Sequence, residues 1–117
     1  MISIRPGTRE DIPQAFALVT ELAVYELAAD QVTNTAEQMA DDGFGPNPLF
    51  GMLVAEDSES QKIVGLALYY FRYSTWKGKR LYLEDIIVTE DFRGYGIGKL
   101  LLDATIDMAH ETHCTGM

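Results

Sequence analysis

The sequence predicts a single α/β (α+β) domain in which a mixed, mostly antiparallel sheet is flanked by helices, in the order β-α-α-β-β-β-α. Three observations lead to this prediction. The chain has 117 residues, of which 47% are hydrophobic, enough for one buried core. Three strand-like runs follow one another between residues 50 and 88. Helical spacing of apolar residues comes before and after them.

The first elements are a strand and a helix. Met1 to Arg5 alternates apolar and polar side chains, and Pro6-Gly7 then supplies a turn. The Thr8 hydroxyl is suited to cap the helix that follows, because its oxygen can accept a hydrogen bond from a free N–H group. The predicted apolar stripe of this helix consists of Ile12, Phe16, Val19, Leu22 and Ala23.

A second helix is predicted to begin at Thr35, because Gln38 lies three residues later in the reciprocal capping pattern. Gly43 is predicted to end this helix. The segment from Phe44 to Pro48 contains one glycine and two prolines and is typical of a loop.

The three strand-like runs are Phe50–Glu56, Ile63–Phe71 and Leu81–Val88. Polar residues 57–62 join the first two runs, and residues 74–79 join the second and third, so we expect an antiparallel meander. A last helix is predicted from about Gly98 to Glu111, with an apolar face of Leu101, Ala104, Ile106 and Met108.

The chain ends soon after this helix. A strand–loop–helix unit normally returns the chain to a parallel strand, because the crossover covers one sheet face. We therefore expect residues 1–117 to be a single domain that is incomplete at its C-terminal end. The alternative is a complete small domain with a frayed tail.

Composition excludes several classes of function. The formal net charge of -9 repels the phosphate backbone, so we expect no nucleic acid as partner. The acidity could steer cationic ligands or serve solubility alone. The single cysteine, Cys114, cannot form an internal disulfide, and no secretory signal is seen, so a cytoplasmic location is expected. The apolar stretches are too short for a membrane helix of roughly 20 residues, so we expect no membrane partner.

No metal site is expected either. His110 and His113 are not accompanied by a second pair of ligand-type residues at the spacing of metal ligands.

A glycine-rich loop precedes the last helix. Glycines let the backbone approach a ligand closely, and a helix N-terminus attracts anions. The spacing Gly-x-Gly-x-Gly excludes the dinucleotide fingerprint, and Leu100 excludes the nucleotide-triphosphate loop, which needs a hydroxyl there. The glycines alone would equally suit a tight turn, but two cations favour an anion site. The predicted site consists of Arg93, Gly94, Tyr95, Gly96, Ile97, Gly98 and Lys99.

Two adjacent acids interrupt the third apolar strand. Successive side chains of a strand point to opposite faces, so we expect at least one of Glu84 and Asp85 to be partly buried. Burial raises the proton affinity of a carboxylate toward that of a general base. Glu84 is the predicted base, although an ion pair with Arg72 or Arg80 would explain either acid equally well.

The Arg-x-x-Gly-x-Gly pattern after a strand resembles the coenzyme A pyrophosphate signature of the GNAT acetyltransferase superfamily. Further segments, spread over nearly the whole chain, resemble the diamine (spermidine/spermine) acetyltransferase family. They are residues 21–23 (Glu-Leu-Ala), 25–26 (Tyr-Glu), 42–45 (Asp-Gly-Phe-Gly), 69–71 (Tyr-Tyr-Phe), 76–78 (Trp-Lys-Gly) and 81–85 (Leu-Tyr-Leu-Glu-Asp).

The resemblance implies an enzyme that uses acetyl-coenzyme A as cosubstrate and acetylates a small amine by direct attack. It implies that the glycine-rich loop binds the diphosphate, and that Ile86, Ile87 and Val88 offer backbone groups to the pantetheine arm and thioester. It implies that Glu84 helps to deprotonate the amine. The implied substrate contacts are Tyr25, Glu26, Trp76, Glu84 and Asp85.

Several expectations about the reaction stay open. The resemblance places a general-acid tyrosine beyond the last helix, and neither Tyr82 nor Tyr95 matches it, so none is assigned. Ser74-Thr75 stands where polyamine-acetylating relatives tend to carry an acid, which slightly favours a thialysine-like substrate over polyamines. The resemblance also implies a homodimer. The alternative function is a catalytically incomplete module that binds acyl-coenzyme A or associates with itself.

Overall fold

The computed structural model describes residues 1–117 and has the predicted element order. Three one-turn 3₁₀ helices lie between the main elements, at Arg9–Asp11, Ala29–Gln31 and Glu90–Phe92. No helix is both long and apolar enough to cross a membrane. The strands are β1 (Ile2–Pro6), β2 (Gly51–Asp57), β3 (Lys62–Ser74) and β4 (Gly78–Val88), and the helices are α1 (Ile12–Tyr25), α2 (Ala36–Phe44) and α3 (Ile97–Glu111).

The four strands form one sheet in the order β1-β2-β3-β4, and each neighbouring pair is antiparallel. The predicted meander is therefore confirmed, with β1 added at its outer edge. Strands β3 and β4 extend further than predicted, to Ser74 and from Gly78, because a short turn connects them. Gly78 has φ +87°, the left-handed conformation that glycine adopts without steric cost.

The sheet has a hydrophobic core on each face. Helices α1 and α2 pack on one face, around Val54, Leu66 and Ile87. Helix α3 packs on the other face, around Ala67 and Leu81. This arrangement buries alternate side chains of the central strands on opposite sides, so both faces of the sheet are covered.

The buried stripes of the helices differ from the predicted ones. In α1 the buried residues are Ile12, Ala15 and Leu18. The predicted stripe included Ile12 but omitted Ala15 and Leu18. In α3 Ile106 is exposed, so its place in the predicted apolar face was wrong. The buried position beside it belongs to Thr105, whose hydroxyl donates to the carbonyl of Leu101 at 2.8 Å. The hydroxyl of this buried residue is therefore satisfied within its own helix. Hydropathy alone does not indicate such a bond, so it cannot predict that a threonine is buried here.

The helix ends also differ in detail. Thr8 donates its N–H and its hydroxyl to the Asp11 carboxylate, at 2.8 and 3.1 Å, instead of accepting a bond. Thr35 does cap α2, accepting from the Gln38 N–H at 3.1 Å, but the Gln38 side chain bonds to Asp42. Gly43 does not end α2.

Gly43 lies inside α2 because of packing. A Cβ atom there would come within 2.3 Å of the Phe50 ring, which occupies the space. The helix continues to Phe44, and Gly45 follows as its cap residue. The glycine therefore serves a close contact between α2 and the start of β2.

The residues after α3 run along the free edge of β4. The Thr115 N–H donates to the Lys79 carbonyl at 2.8 Å, and the Leu81 N–H donates to the Gly116 carbonyl at 3.0 Å. The residue numbers of the partners increase together in the two segments, so residues 115–116 run in the same direction as β4. This is the direction predicted for a parallel strand that returns after α3.

Candidate active site

A bulge in β4 determines where the two adjacent acids point. Leu68 of β3 lies opposite Asp85, but the next residue, Tyr69, lies opposite Leu83. Glu84 is therefore an extra residue without a partner on β3. A bulge of this kind locally re-aims side chains and often lies beside a functional site.

The bulge reverses the alternation of side chains along β4. Before it, Leu81 and Leu83 pack in the core under α3. After it, Ile86 and Val88 pack in that same core, whereas Ile87 packs under α1 and α2. The two acids at the bulge consequently lie on the same face, that of α1 and α2. The prediction that they point to opposite faces was wrong.

Both acids line one cavity of about 270 Å³ between α1, α2 and the sheet. Seven of its eleven lining residues are apolar. The other four are Asn34, Asp42, Glu84 and Asp85. Three carboxylates and no cationic side chain therefore face the same space, an arrangement that attracts a positively charged ligand.

The pKa of Asp85 is raised above its ordinary value, chiefly by burial and further by the nearby negative charges of Glu84 and Glu26. Glu84 is exposed. The prediction assigned the partly buried carboxylate with raised proton affinity to Glu84, but the structure assigns it to Asp85. The bulge explains this difference, because it turns Asp85 inward beside Glu84.

This raised pKa predicts a pH-dependent effect of Asp85→Asn on stability. A carboxyl group whose pKa is higher in the folded chain destabilises the fold as pH rises from its ordinary value of 3.8 through the raised value. The asparagine variant does not titrate. We expect the free energy of unfolding of the variant, relative to the unaltered chain, to increase between pH 4 and pH 7 in urea titrations. An equal difference at both pH values would contradict the assignment.

The glycine-rich loop is open to solvent on the side that a ligand would approach. Gly94 and Gly96 have φ values of +88° and +79°, so both positions favour glycine by conformation. Gly98, in the first turn of α3, has no such φ. A Cβ atom at any of the three would meet nothing within 4 Å. The space beside these three glycines is therefore open, and the first N–H groups of α3 have no partner within the helix, as an anion site requires.

The two cations of the loop already have partners. The Arg93 Nε donates to the Val88 carbonyl at 2.9 Å, and its guanidinium lies 3.6 Å from a Glu21 carboxylate oxygen. Lys99 donates to Asp103 at 2.8 Å. Both side chains are next to the loop, but Arg93 is turned toward α1.

The backbone groups of Ile86 and Val88 face the free edge of β4. The Thr89 N–H donates to Val64 of β3, so by alternation Ile87 also faces β3. Ile86 and Val88 then face away from β3, and Arg93 reaches the Val88 carbonyl from that side. Backbone groups of Ile86, Ile87 and Val88 were all predicted to contact the donor. In the structure those of Ile86 and Val88 face the open edge of the sheet, whereas those of Ile87 face β3.

The remaining predicted substrate contacts lie in two places. Tyr25 is exposed at the end of α1, and Glu26, its neighbour, is close enough to raise the pKa of Asp85. Trp76 is 94% exposed in the turn between β3 and β4. Six residues of β4, roughly 20 Å of strand, separate Gly78 at the end of this turn from Glu84. Within one chain the structure does not bring Trp76 to the cavity.

Three residues that contribute to this region were not predicted. Asn34 and Asp42 line the cavity, and Glu21 contacts the loop segment that leads to the glycines. Glu21 and Asp42 lie in segments that resemble the diamine acetyltransferase family, but no role was predicted for either residue. Glu21 also lies four residues from Tyr25, which places both on one helix face. No group of three or more His, Cys, Asp or Glu side chains converges as metal ligands do.

The chain is similar to known acetyltransferases. The model of the acetyltransferase (GNAT) family matches residues 16–117. The chain is 43% identical to human spermidine/spermine N(1)-acetyltransferase-like protein 1, covering 97% of this chain and 17% of that protein. It is 39% identical to thialysine N-epsilon-acetyltransferase of Bos taurus, covering 97% of this chain and 71% of that protein.

Solved structures share the fold. A possible acetyltransferase from Clostridium difficile 630 superimposes with a TM-score of 0.80 at 17% identity, covering 100% of this chain and 77% of that one. An acetyltransferase of Trypanosoma brucei gives 0.77 at 19% identity, covering 99% and 80%. These structures support the architecture alone.

Proposed function

The chain belongs to the acetyltransferase (GNAT) family, and on that premise we propose that it transfers an acetyl group from acetyl-coenzyme A to a small primary amine. One observation carries the proposal. The acidic cavity and the glycine-rich loop lie along the same strand, with the carboxylates of Glu84 and Asp85 at the bulge and the loop after Val88. Three residues of strand, about 10 Å, separate Asp85 from Val88.

The loop fits the diphosphate of the donor. Free N–H groups and the positive end of the α3 dipole attract phosphate oxygens. The open space at Gly94, Gly96 and Gly98 lets these oxygens approach the backbone. When bound, acetyl-coenzyme A supplies the thioester whose acyl carbon is attacked.

The backbone at the end of β4 is suited to hold the donor arm. The outward N–H groups of Ile86 and Val88 have no neighbouring strand, so they are free to bond the pantetheine amides or the thioester oxygen. A fixed N–H aimed at that oxygen stabilises the negative charge that develops on it. This role needs no side chain.

The acidic cavity is suited to the amine. An ammonium group between Glu84 and Asp85 would be held by charge and must lose one proton before it attacks. We propose that Glu84 takes this proton, directly or through water, and that Asp85 shares it because burial raises its proton affinity. No side chain is assigned to protonate the leaving thiolate.

The class of amine is a further proposal. The relatives are named for thialysine and for spermidine/spermine. The cavity has three carboxylates and no cation, which favours an amine that carries a second positive charge. Asp42 and Asn34 are placed to contact that second group. Glu26 is close enough to Asp85 to raise its pKa, and Glu26 and its neighbour Tyr25 are proposed as further contacts.

We also propose that the protein acts as a cytoplasmic homodimer. Tyr73 and Trp76 are exposed aromatic residues at the end of the β3–β4 hairpin and are suited to an interface. If Trp76 contacts the amine, it must contact the amine that is bound in the cavity of a second copy of the chain. Sedimentation velocity at several concentrations would test the association.

Two measurements test the function. Calorimetry with coenzyme A measures donor binding, and a thiol-release assay with thialysine and with spermidine measures turnover. We expect binding and release. Binding without release of thiol from any amine would instead support a module that holds acyl-coenzyme A without turnover. Absence of binding would refute both.

A further inference from the structure

Glu21 joins α1 to the segment that leads into the glycine-rich loop. Its Oε1 accepts from the Thr89 hydroxyl at 2.8 Å, and its Oε2 accepts from the Glu90 N–H at 3.1 Å. Oε2 also lies 3.6 Å from an Arg93 guanidinium nitrogen. One carboxylate therefore contacts three groups within residues 89–93. We infer that Glu21 is a positioning residue for the donor loop, an inference that rests on the proposed function.

The loop has few other restraints. Residues 93–96 are all exposed, and no protein atom lies within 4 Å of a Cβ placed at Gly94 or Gly96. The segment before it is linked to β3 by the Thr89 N–H, packs Phe92 against the core under α3, and otherwise bonds to itself. Glycines impose little conformational preference, so the direction of this loop depends on how its first residues are held. Glu21 supplies that restraint from a helix that is packed on the sheet.

The same carboxylate determines what Arg93 does. The guanidinium lies between Glu21 and the Tyr25 ring, 5.3 Å from the ring centroid, and its Nε bonds to the Val88 carbonyl. In this position Arg93 braces the loop against the end of α1. The diphosphate is then left to the backbone N–H groups. This brace also links the donor loop to Tyr25 at the end of α1.

Two effects of removing the Glu21 charge oppose each other. A released Arg93 could turn toward the diphosphate and strengthen binding by its charge. Loss of the brace would leave the loop amides disordered before binding, and ordering them would weaken binding. We expect the second effect to win, because Arg93 is exposed to water and screened, whereas the loop supplies several N–H groups at once.

The test is Glu21→Gln, which keeps the size of the side chain and removes its charge. We expect the KM for acetyl-coenzyme A to rise about tenfold, the effect of losing one charge-assisted hydrogen bond. The turnover number and the KM for the amine should change less than about twofold, because the cavity carboxylates are untouched. A purely structural role would lower the melting temperature without this selective change in the donor KM.

Matched variants separate the brace from general damage. Thr89→Val removes one bond to Glu21 and should raise the donor KM in the same direction, with no further rise when combined with Glu21→Gln. Thr20→Val is the control, because the Thr20 hydroxyl bonds only to the Phe16 carbonyl within α1. An unchanged donor KM in folded Glu21→Gln would overturn the inference.

Hydrogen exchange tests the brace independently of catalysis. In the chain without ligand, the amides of Phe92 and Arg93, which bond to the Thr89 and Glu90 carbonyls in the segment that Glu21 holds, should exchange about tenfold faster in Glu21→Gln than in the unaltered chain, if local opening is opposed by one such bond. Equal exchange would overturn the inference even if the chain acetylates amines. Faster exchange in a chain that binds no coenzyme A would support the brace and refute the proposed function.

Discussion

Replacing Gly98 by Val is expected to weaken coenzyme A binding at least about a hundredfold, because two backbone bonds to phosphate oxygens at about 1.5 kcal/mol each would be lost. Gly98 does not have a positive φ, and its Cβ direction meets no protein atom within 4 Å. Nothing within the chain therefore requires glycine there. A side chain would instead occupy the space in front of the first turn of α3, where we propose that the diphosphate binds.

The variant Gly98→Ala makes this test sharper. Alanine in a helix is more favourable than glycine, by up to about 1 kcal/mol, so the melting temperature should rise slightly. Donor affinity should nevertheless fall, since the methyl group projects toward the diphosphate. Stability and affinity would then move in opposite directions, which a damaged fold cannot produce. Calorimetry and thermal unfolding measure both quantities, and unchanged affinity in both variants would exclude the proposed diphosphate site.

Gly96 is not a suitable substitute for this experiment. Its φ of +79° strains any residue with a side chain, by roughly 1–2 kcal/mol. A loss of affinity in a Gly96 variant could arise from the backbone rather than from the ligand. Gly96→Ala is therefore useful only as a comparison, and we expect it to lower the melting temperature where Gly98→Ala raises it.

The second large effect is expected for Glu84→Gln combined with Asp85→Asn. We expect kcat/KM for the amine to fall by about 10²–10⁴, the range that general acid–base catalysis contributes. Both substitutions preserve size and remove charge from one end of the cavity. Donor affinity should stay within about twofold, because the loop and the free edge of β4 are unaltered. Initial rates with spermidine and with thialysine, over a range of pH, would measure the effect.

The single variants distinguish the two carboxylates. If Asp85 shares the proton, Asp85→Asn should shift the acidic limb of the pH–rate profile as well as lower the rate. Glu84→Gln should lower the rate and, because the Glu84 charge contributes to the raised pKa of Asp85, should move this limb to lower pH. Glu37→Gln, an exposed acid in the first turn of α2 and outside the cavity, is the control. A double variant with unchanged kcat/KM would remove these carboxylates from the proposed mechanism.

Most of the fold could be predicted from local patterns. The hydrophobic periods of two and of three to four residues predict strands and helices, and the order of elements agrees with the structure. The details that failed depend on contacts between distant segments. Gly43 resembled a helix end, but it is required by the Phe50 ring across the α2–β2 connection. Ile106 fitted an apolar stripe, but Thr105 occupies the buried side of α3.

The types of residue at the candidate site were likewise evident in the sequence. The glycine spacing predicts a loop that admits an anion, and two acids in an apolar strand predict a proton acceptor. These conclusions depend on chemical identity and on spacing within a few residues. The family resemblance added the donor and the class of substrate, and the match to the acetyltransferase (GNAT) family confirms that membership.

By itself, the sequence determined the order of strands and helices, the glycine-rich loop at the start of α3 and the presence of paired acids in β4. Only the tertiary structure decided that Glu84 and Asp85 share one cavity, that Asp85 has the raised pKa, and that Arg93 lies beside Glu21. The physical reason is that side-chain direction after a bulge depends on how β4 pairs with β3. That register is set by packing across the whole sheet, which no local spacing records.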